Sequence, residues 1–152
     1  MITPTTGISG SYNSPAWTGV RFTDNGDGTV TDNLTALIWL KDADCWGDQT
    51  WANALANANA LADGQCGLED GSSAGDWRLP NVNELHSLID LSQSAPALPS
   101  GHHFIVGQSD VYWSSTSYGS GTNAWVVVLD NGNAANAPKA NTMSVWPVRG
   151  GQ

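Results

Sequence analysis

The spacing of apolar and polar positions changes several times along the chain, and each change marks an element. In VRFTDNGDGTVTD (20–32), Val20, Phe22 and then Thr29–Thr31 flank NGDG. Glycines that accept positive φ between two short β-prone segments predict a hairpin. The run ALIWLKD (36–42) is apolar over too short a span for a helix and predicts a buried strand. At TWANALANANALA (50–62) the period becomes helical. Trp51, Leu55, Ala58 and Ala62 recur on one face with Ala54 and Leu61 beside them, and Thr50 stands at the N-cap position. PNVNELHSLIDL (80–91) predicts a second helix. Asn81 and Glu84 have capping-box spacing, Pro80 can staple against Leu85, and Val82, Leu85, Leu88 and Ile89 make the apolar face.

Strand patterns return after APALPSGHH, in VYWSST (111–116), NAWVVVLDNG (123–132) and SVWPVRG (144–150). Alternation in the middle strand places Trp125, Val127 and Leu129 on one face and turns Val126, Val128 and Asp130 away from it. DNGNAANAPKANT (130–142) has no nucleophile, acid pair or aromatic anchor and reads as a polar hairpin and loop. Two early helices, a hairpin and a late antiparallel sheet predict an α+β domain. Residues 1–19, rich in Thr, Ser, Gly and Pro, read as an arm or linker, leaving residues 20–152 as one domain.

Composition narrows the function. Charged residues are 12% of the chain and tryptophans number eight, the profile of a folded, loop-rich domain. A net charge of −9 repels nucleic acid, anionic lipid and sulfated polysaccharide. No apolar run approaches the roughly 20 residues of a membrane span. Cys45 and Cys66 bracket the first helical pattern. Free thiols or half a metal site are the alternatives, but no nearby His completes a ligand set, and a disulfide is expected. That expectation implies an oxidising compartment, outside the cell or at its surface. Residues 1–17 lack the basic and apolar parts of a signal peptide, so export is expected to use a signal outside this sequence.

Several clusters invite chemistry. Asp24, Asp27 and Asp32 around NGDG offer oxygens to a calcium ion, but the spacing is not that of an EF-hand and a hairpin needs the same residues. Asp42, Asp44 and Asp48 read as turn carboxylates. His86 and the adjacent His102 and His103 have no carboxylate partner at a recognised offset. No serine lies in a nucleophile elbow and no phosphate loop occurs, so neither catalysis nor a cofactor is expected. Asp76–Pro80 (DWRLP), with Trp146, Pro147 and Arg149, reads as scaffold, Arg78 pairing with a carboxylate or carbonyl.

In order, RFTDNGDGTVTDNLTALIWLKDADCW, TWANALANANAL, DWRLPNVNELHSLID, VYWSST, AWVVVLDNG and VWPVRGG make a match that covers residues 20–151. This series resembles the Lcl C-terminal domain family of bacterial collagen-like adhesins and related surface proteins. The resemblance implies a C-type-lectin-like fold, with two helices on a twisted, mostly antiparallel sheet, and ligand recognition at a surface. The chain departs from calcium-dependent lectins in lacking Glu-Pro-Asn and Gln-Pro-Asp. It departs from formylglycine-generating enzymes in having no cysteine after Cys66, and from glycosaminoglycan-binding adhesins in its acidic charge.

The segment 117–144 is also similar to the variable segments of diversity-generating retroelement proteins, in which fixed and replaceable residues interleave. In that likeness Trp125, Val127, Leu129, Asn131, Gly132 and Lys139 are fixed. The replaceable, ligand-facing positions are Tyr118, Ser120, Thr122, Val126, Val128, Asp130, Asn133, Ala135, Asn136, Ala137, Ala140, Asn141 and Thr142. The expected function is non-catalytic display of this surface to a protein or glycan, by a monomer or trimer. An adhesin head with fixed glycan specificity is the alternative.

Overall fold

The computed structural model describes residues 19–107 and 110–150. Of the expected arm, all but Gly19 lies outside the described residues. The chain forms β1 (Phe22–Asp24), β2 (Thr29–Asp32), β3 (Ile38–Leu40), α1 (Trp51–Ala60) and α2 (Val82–His86), then β4 (Val111–Tyr118), β5 (Asn123–Val128), β6 (Ala134–Pro138) and β7 (Val148–Arg149). These make an α+β fold of two antiparallel sheets, ordered β1-β2-β3-β7 and β4-β5-β6.

The local signals act as expected at both helices. Thr50 accepts from the Asn53 amide and caps α1. Asn81 and Glu84 form the capping box of α2, and the Glu84 carboxylate also takes two hydrogen bonds from Arg78, at 2.6 and 2.8 Å. α2 is shorter than the pattern over 80–91. Its last turn tightens to i→i−3 bonds, Leu88 to Leu85 and Ile89 to His86, and the Ser87 hydroxyl donates to the Glu84 carbonyl, competing with the helical ladder.

The last strand departs from the expected single late sheet. Ser144 pairs beside Tyr112 of β4, but Val148 and Arg149 pair with Trp39 and Ile38 of β3. Residues 144–148 therefore cross from one sheet to the other, carrying Trp146 into the space between them. Its ring is fully buried and meets Trp39, Phe104 and Tyr112, while its indole N–H donates to the Leu40 carbonyl at 2.9 Å. Arg78, on the DWRLP segment, exchanges backbone hydrogen bonds with Val148, so the scaffold reading of both segments holds.

Cys45 and Cys66 are joined in a disulfide. The loop it closes rests on the β1–β2 turn. At Gly28, with φ +90°, a Cβ would collide with the Gly67 carbonyl, so only glycine lets the two backbones meet.

Candidate functional site

The sheet β4-β5-β6 is covered unequally. On one face Trp113, Ala124, Val126 and Ala137 pack under the alanine stripe of α1, Ala54 and Ala58. On the other, Tyr112 and Val127 pack with Leu85 and Leu88 from α2 and the turn after it. Because α2 is short, it seals only the Val127 end of that face. Trp125, next along β5 on the same side, is half-buried, and its cross-strand partner Asn136 is exposed.

This arrangement corrects part of the alternation reading. A middle strand covered on both sides carries a continuous apolar run, and period 2 then cannot separate inside from outside. Val126, expected to face outward, is 2% exposed, and Ala137 is 6% exposed. Both are core residues beneath α1. Val128 and Ala135 lie on the same face, half-buried. Residues 134–138, read as part of a polar loop, are the strand β6, specified by pairing to β5 because their own side chains carry little β preference.

The remaining expected positions divide into two groups. Tyr118, Ser120 and Thr122, at the β4–β5 turn, and Ala140, Asn141 and Thr142, after β6, are exposed at one end of the sheet. Asp130 and Asn133 are exposed in the β5–β6 turn at the other end, and exposed Asn136 lies on β6 between the two ends of the sheet. The Asn133 amide donates to the Asn131 side chain, and the Ala95 amide donates to the Asp130 carbonyl. Gly132, at φ +81°, seats this turn against α2's follow-on turn, where a Cβ would stand 2.6 Å from Ile89. Lys139, read as fixed, lies 3.9 Å over the Trp51 ring and donates to Ser117, holding the start of α1 to the end of β4.

A depression of about 230 Å³ opens between α2 and the uncovered part of the sheet, lined by Val82, Asn83, His86, Trp125 and Ala134. Tyr118 stands edge-on to Trp125, with ring centroids 5.0 Å apart. Asn123 donates to Asn136 at 2.8 Å across β5 and β6. The His86 ring is hydrogen-bonded to the Gly132 carbonyl at 3.0 Å through Nε2. None of the five lining residues belongs to the expected site: Val82 reads as the core face of its helix, His86 is weighed only as a metal ligand or base, and Asn83, Trp125 and Ala134 carry no site signal. Of these last three, the first lies on the exposed side of a helix known only by its apolar side. The second reads as core from its alternation with Val127. The third sits in a segment without apparent strand character.

Most of the side chains weighed for metal or acid–base chemistry are held by protein partners. Asp24 pairs with Lys41 at 2.6 Å, and its carboxyl titrates below the usual range chiefly through that hydrogen bond. Burial pushes the Asp32 carboxyl up, but the bidentate Arg21 guanidinium outweighs it and the net shift is downward. Asp27 accepts from the Thr29 amide and hydroxyl within the turn. Asp24, Lys41 and Asp42, with Gly26, Gly28, Cys66, Gly67 and Ile105, border a second cleft of about 590 Å³. The Asp44 carboxyl is raised by burial and by repulsion from Asp110, Asp42 and Asp48. His102 accepts from the Phe104 amide and stacks on that ring, and burial, with neighbouring His103, lowers its pKa. Among the described residues no three His, Cys, Asp or Glu side chains gather as a metal group, and no helix is long and apolar enough to cross a membrane.

No curated protein matches the chain. The model of the Lcl C-terminal domain family matches residues 28–149, and the chain belongs to that family.

Proposed function

We propose, with this family membership as premise, that the chain is a non-catalytic recognition domain on a C-type-lectin-like scaffold. It presents the uncovered end of the β4-β5-β6 sheet and the adjoining turns to a protein or glycan outside the cell. One observation carries the reading. Tyr118, Ser120, Thr122, Asn136, Ala140, Asn141 and Thr142 point to solvent while the residues interleaved with them, Ala124, Val127 and Ala137, are buried. Side chains at the first set can change without disturbing the second, since surface substitutions usually shift stability by no more than about 0.5 kcal/mol. That separation is what a diversified variable protein requires. The disulfide and the adhesin-like family fit an extracellular or surface location.

The encoding DNA tests the variable-protein role. Several kilobases around the gene are sequenced and searched for a near-copy of the stretch encoding residues 112–152. The proposal expects a copy whose mismatches fall at its adenines, and codon differences confined to the exposed positions. No copy and no neighbouring reverse transcriptase gene would leave the adhesin head with fixed glycan specificity. The half-exposed Trp125–Tyr118 corner favours that second reading, because aromatic anchors tend to dominate the energy of a fixed contact.

A further inference from the structure

The depression beside Trp125 carries an inference that deepens the recognition reading and rests on it. Trp51, Trp77, Trp113 and Trp146 each donate the indole N–H to a protein acceptor, at 2.9, 3.1, 2.7 and 2.9 Å, while those of Trp39, sealed in the core, and of Trp46 have no partner among the described residues. The indole N–H of Trp125 has no partner among the described residues, and the ring lines an open depression. The Asn83 amide and the Tyr118 hydroxyl are likewise without partners among the described residues. With Nε2–H of His86 donating to the Gly132 carbonyl, Nδ1 of that ring is left as an acceptor. An aromatic floor is thus flanked by neutral donors and acceptors, and among the described residues no Asp, Glu, Lys or Arg lines the depression.

We propose that this depression is a subsite for one neutral sugar ring, stacked on Trp125 and hydrogen-bonded by Asn83 and His86. A pyranose has the matching chemistry: a C–H face that packs on an indole and hydroxyls that both donate and accept. Charged sugars find no counter-ion in the lining, and the −9 net charge repels anionic ones. A purely apolar protein side chain seated there would leave these polar groups desolvated and unpaired. At about 230 Å³ the space is smaller than the roughly 300–1,000 Å³ of drug-sized pockets, so it takes a single terminal ring and not a buried oligosaccharide.

The test is saturation-transfer NMR on the disulfide-intact whole chain. The probes are methyl β-galactoside, methyl β-glucoside, methyl α-mannoside and N-acetylglucosamine, with glucuronate as the charged control. At least one neutral probe is expected to bind with Kd on the order of 1 mM, the range of a single small contact. Trp125→Ala is expected to weaken it about tenfold or more, and Asn83→Ala and His86→Ala about threefold each. Lys41→Ala, at the other cleft, leaves binding unchanged. Asn83 and His86 are exposed on α2, so their variants keep the test decisive if Trp125→Ala fails to fold. No transfer to any neutral probe, preference for glucuronate, or binding unchanged in Asn83→Ala and His86→Ala overturns the subsite. Binding to intact cells, measured in parallel, separates the two levels. Cell binding lost on Thr122→Arg and Asn141→Arg without any sugar signal keeps the recognition reading and rejects the sugar. Loss of both signals rejects both.

Discussion

Trp146 and Trp125 lie in the C-terminal part of one chain at two depths. Trp146 has three aromatic neighbours, with ring centroids 5.5, 4.9 and 5.1 Å away, and its N–H is satisfied by Leu40. Among the described residues Trp125 has one aromatic neighbour, Tyr118, and it stands half-buried at the rim of a depression. The first joins the two sheets; the second marks where one sheet runs out of cover. The difference teaches that tryptophan content alone does not report core size here. A ring's role is set by whether its faces are covered, since the Trp39 N–H is unpaired too although that ring is wholly buried in the core.

The largest predicted effect breaks the deep side of this comparison. Trp146→Ala should cost about 3–5 kcal/mol, measured by urea unfolding, because it removes the ring on which Trp39, Phe104 and Tyr112 converge. Next comes the disulfide, whose partners are 21 residues apart. Its removal by Cys45→Ala with Cys66→Ala should cost about 3 kcal/mol on a chain-entropy estimate, read as a lower thermal midpoint. Val126→Asn should cost about 2–3 kcal/mol, since it places an amide among Trp113, Ala54 and Ala58. Asn136→Ser, across the same strand pair but exposed, should stay within about 0.5 kcal/mol. Equal losses at Val126 and Asn136 would dissolve the distinction between sealed and open faces.

The smallest effect is acid sensitivity. Asp32 and Glu84 have folded pKa values below their unfolded ones, burial being outweighed in each by an arginine, Arg21 and Arg78. A depressed carboxylate contributes stability that is fully present above its unfolded pKa and lost as pH falls through the folded one. Stability should therefore decline below about pH 4. Arg78→Ala should flatten that decline, as followed by urea midpoints across pH.

Much of the fold is legible in the residues. The NGDG hairpin, the strand around Trp39, both capped helices, and the Arg78 clamp follow from local chemistry that acts within a few residues. Three features do not. β6 has small side chains, and only its partner β5 makes it a strand. The crossing of 144–148 between sheets depends on which edge is open, a property of the assembled fold. Val126 appears outward because alternation assumes one covered face. The site suffers from the same limits: the turn residues were visible as turns, whereas Asn83, Trp125 and Ala134 meet only when α2 settles short of the sheet's end.

The measurement that tests the account most directly is a saturation scan of residues 118–142 on a display host, sorted for folded protein without any ligand. The account predicts broad tolerance at Tyr118, Ser120, Thr122, Asn136, Ala140, Asn141 and Thr142, and intolerance at Ala124, Val126, Val127, Gly132 and Ala137. Uniform tolerance, or loss of folding concentrated at the exposed set, would contradict the claim that a sealed core carries a replaceable surface.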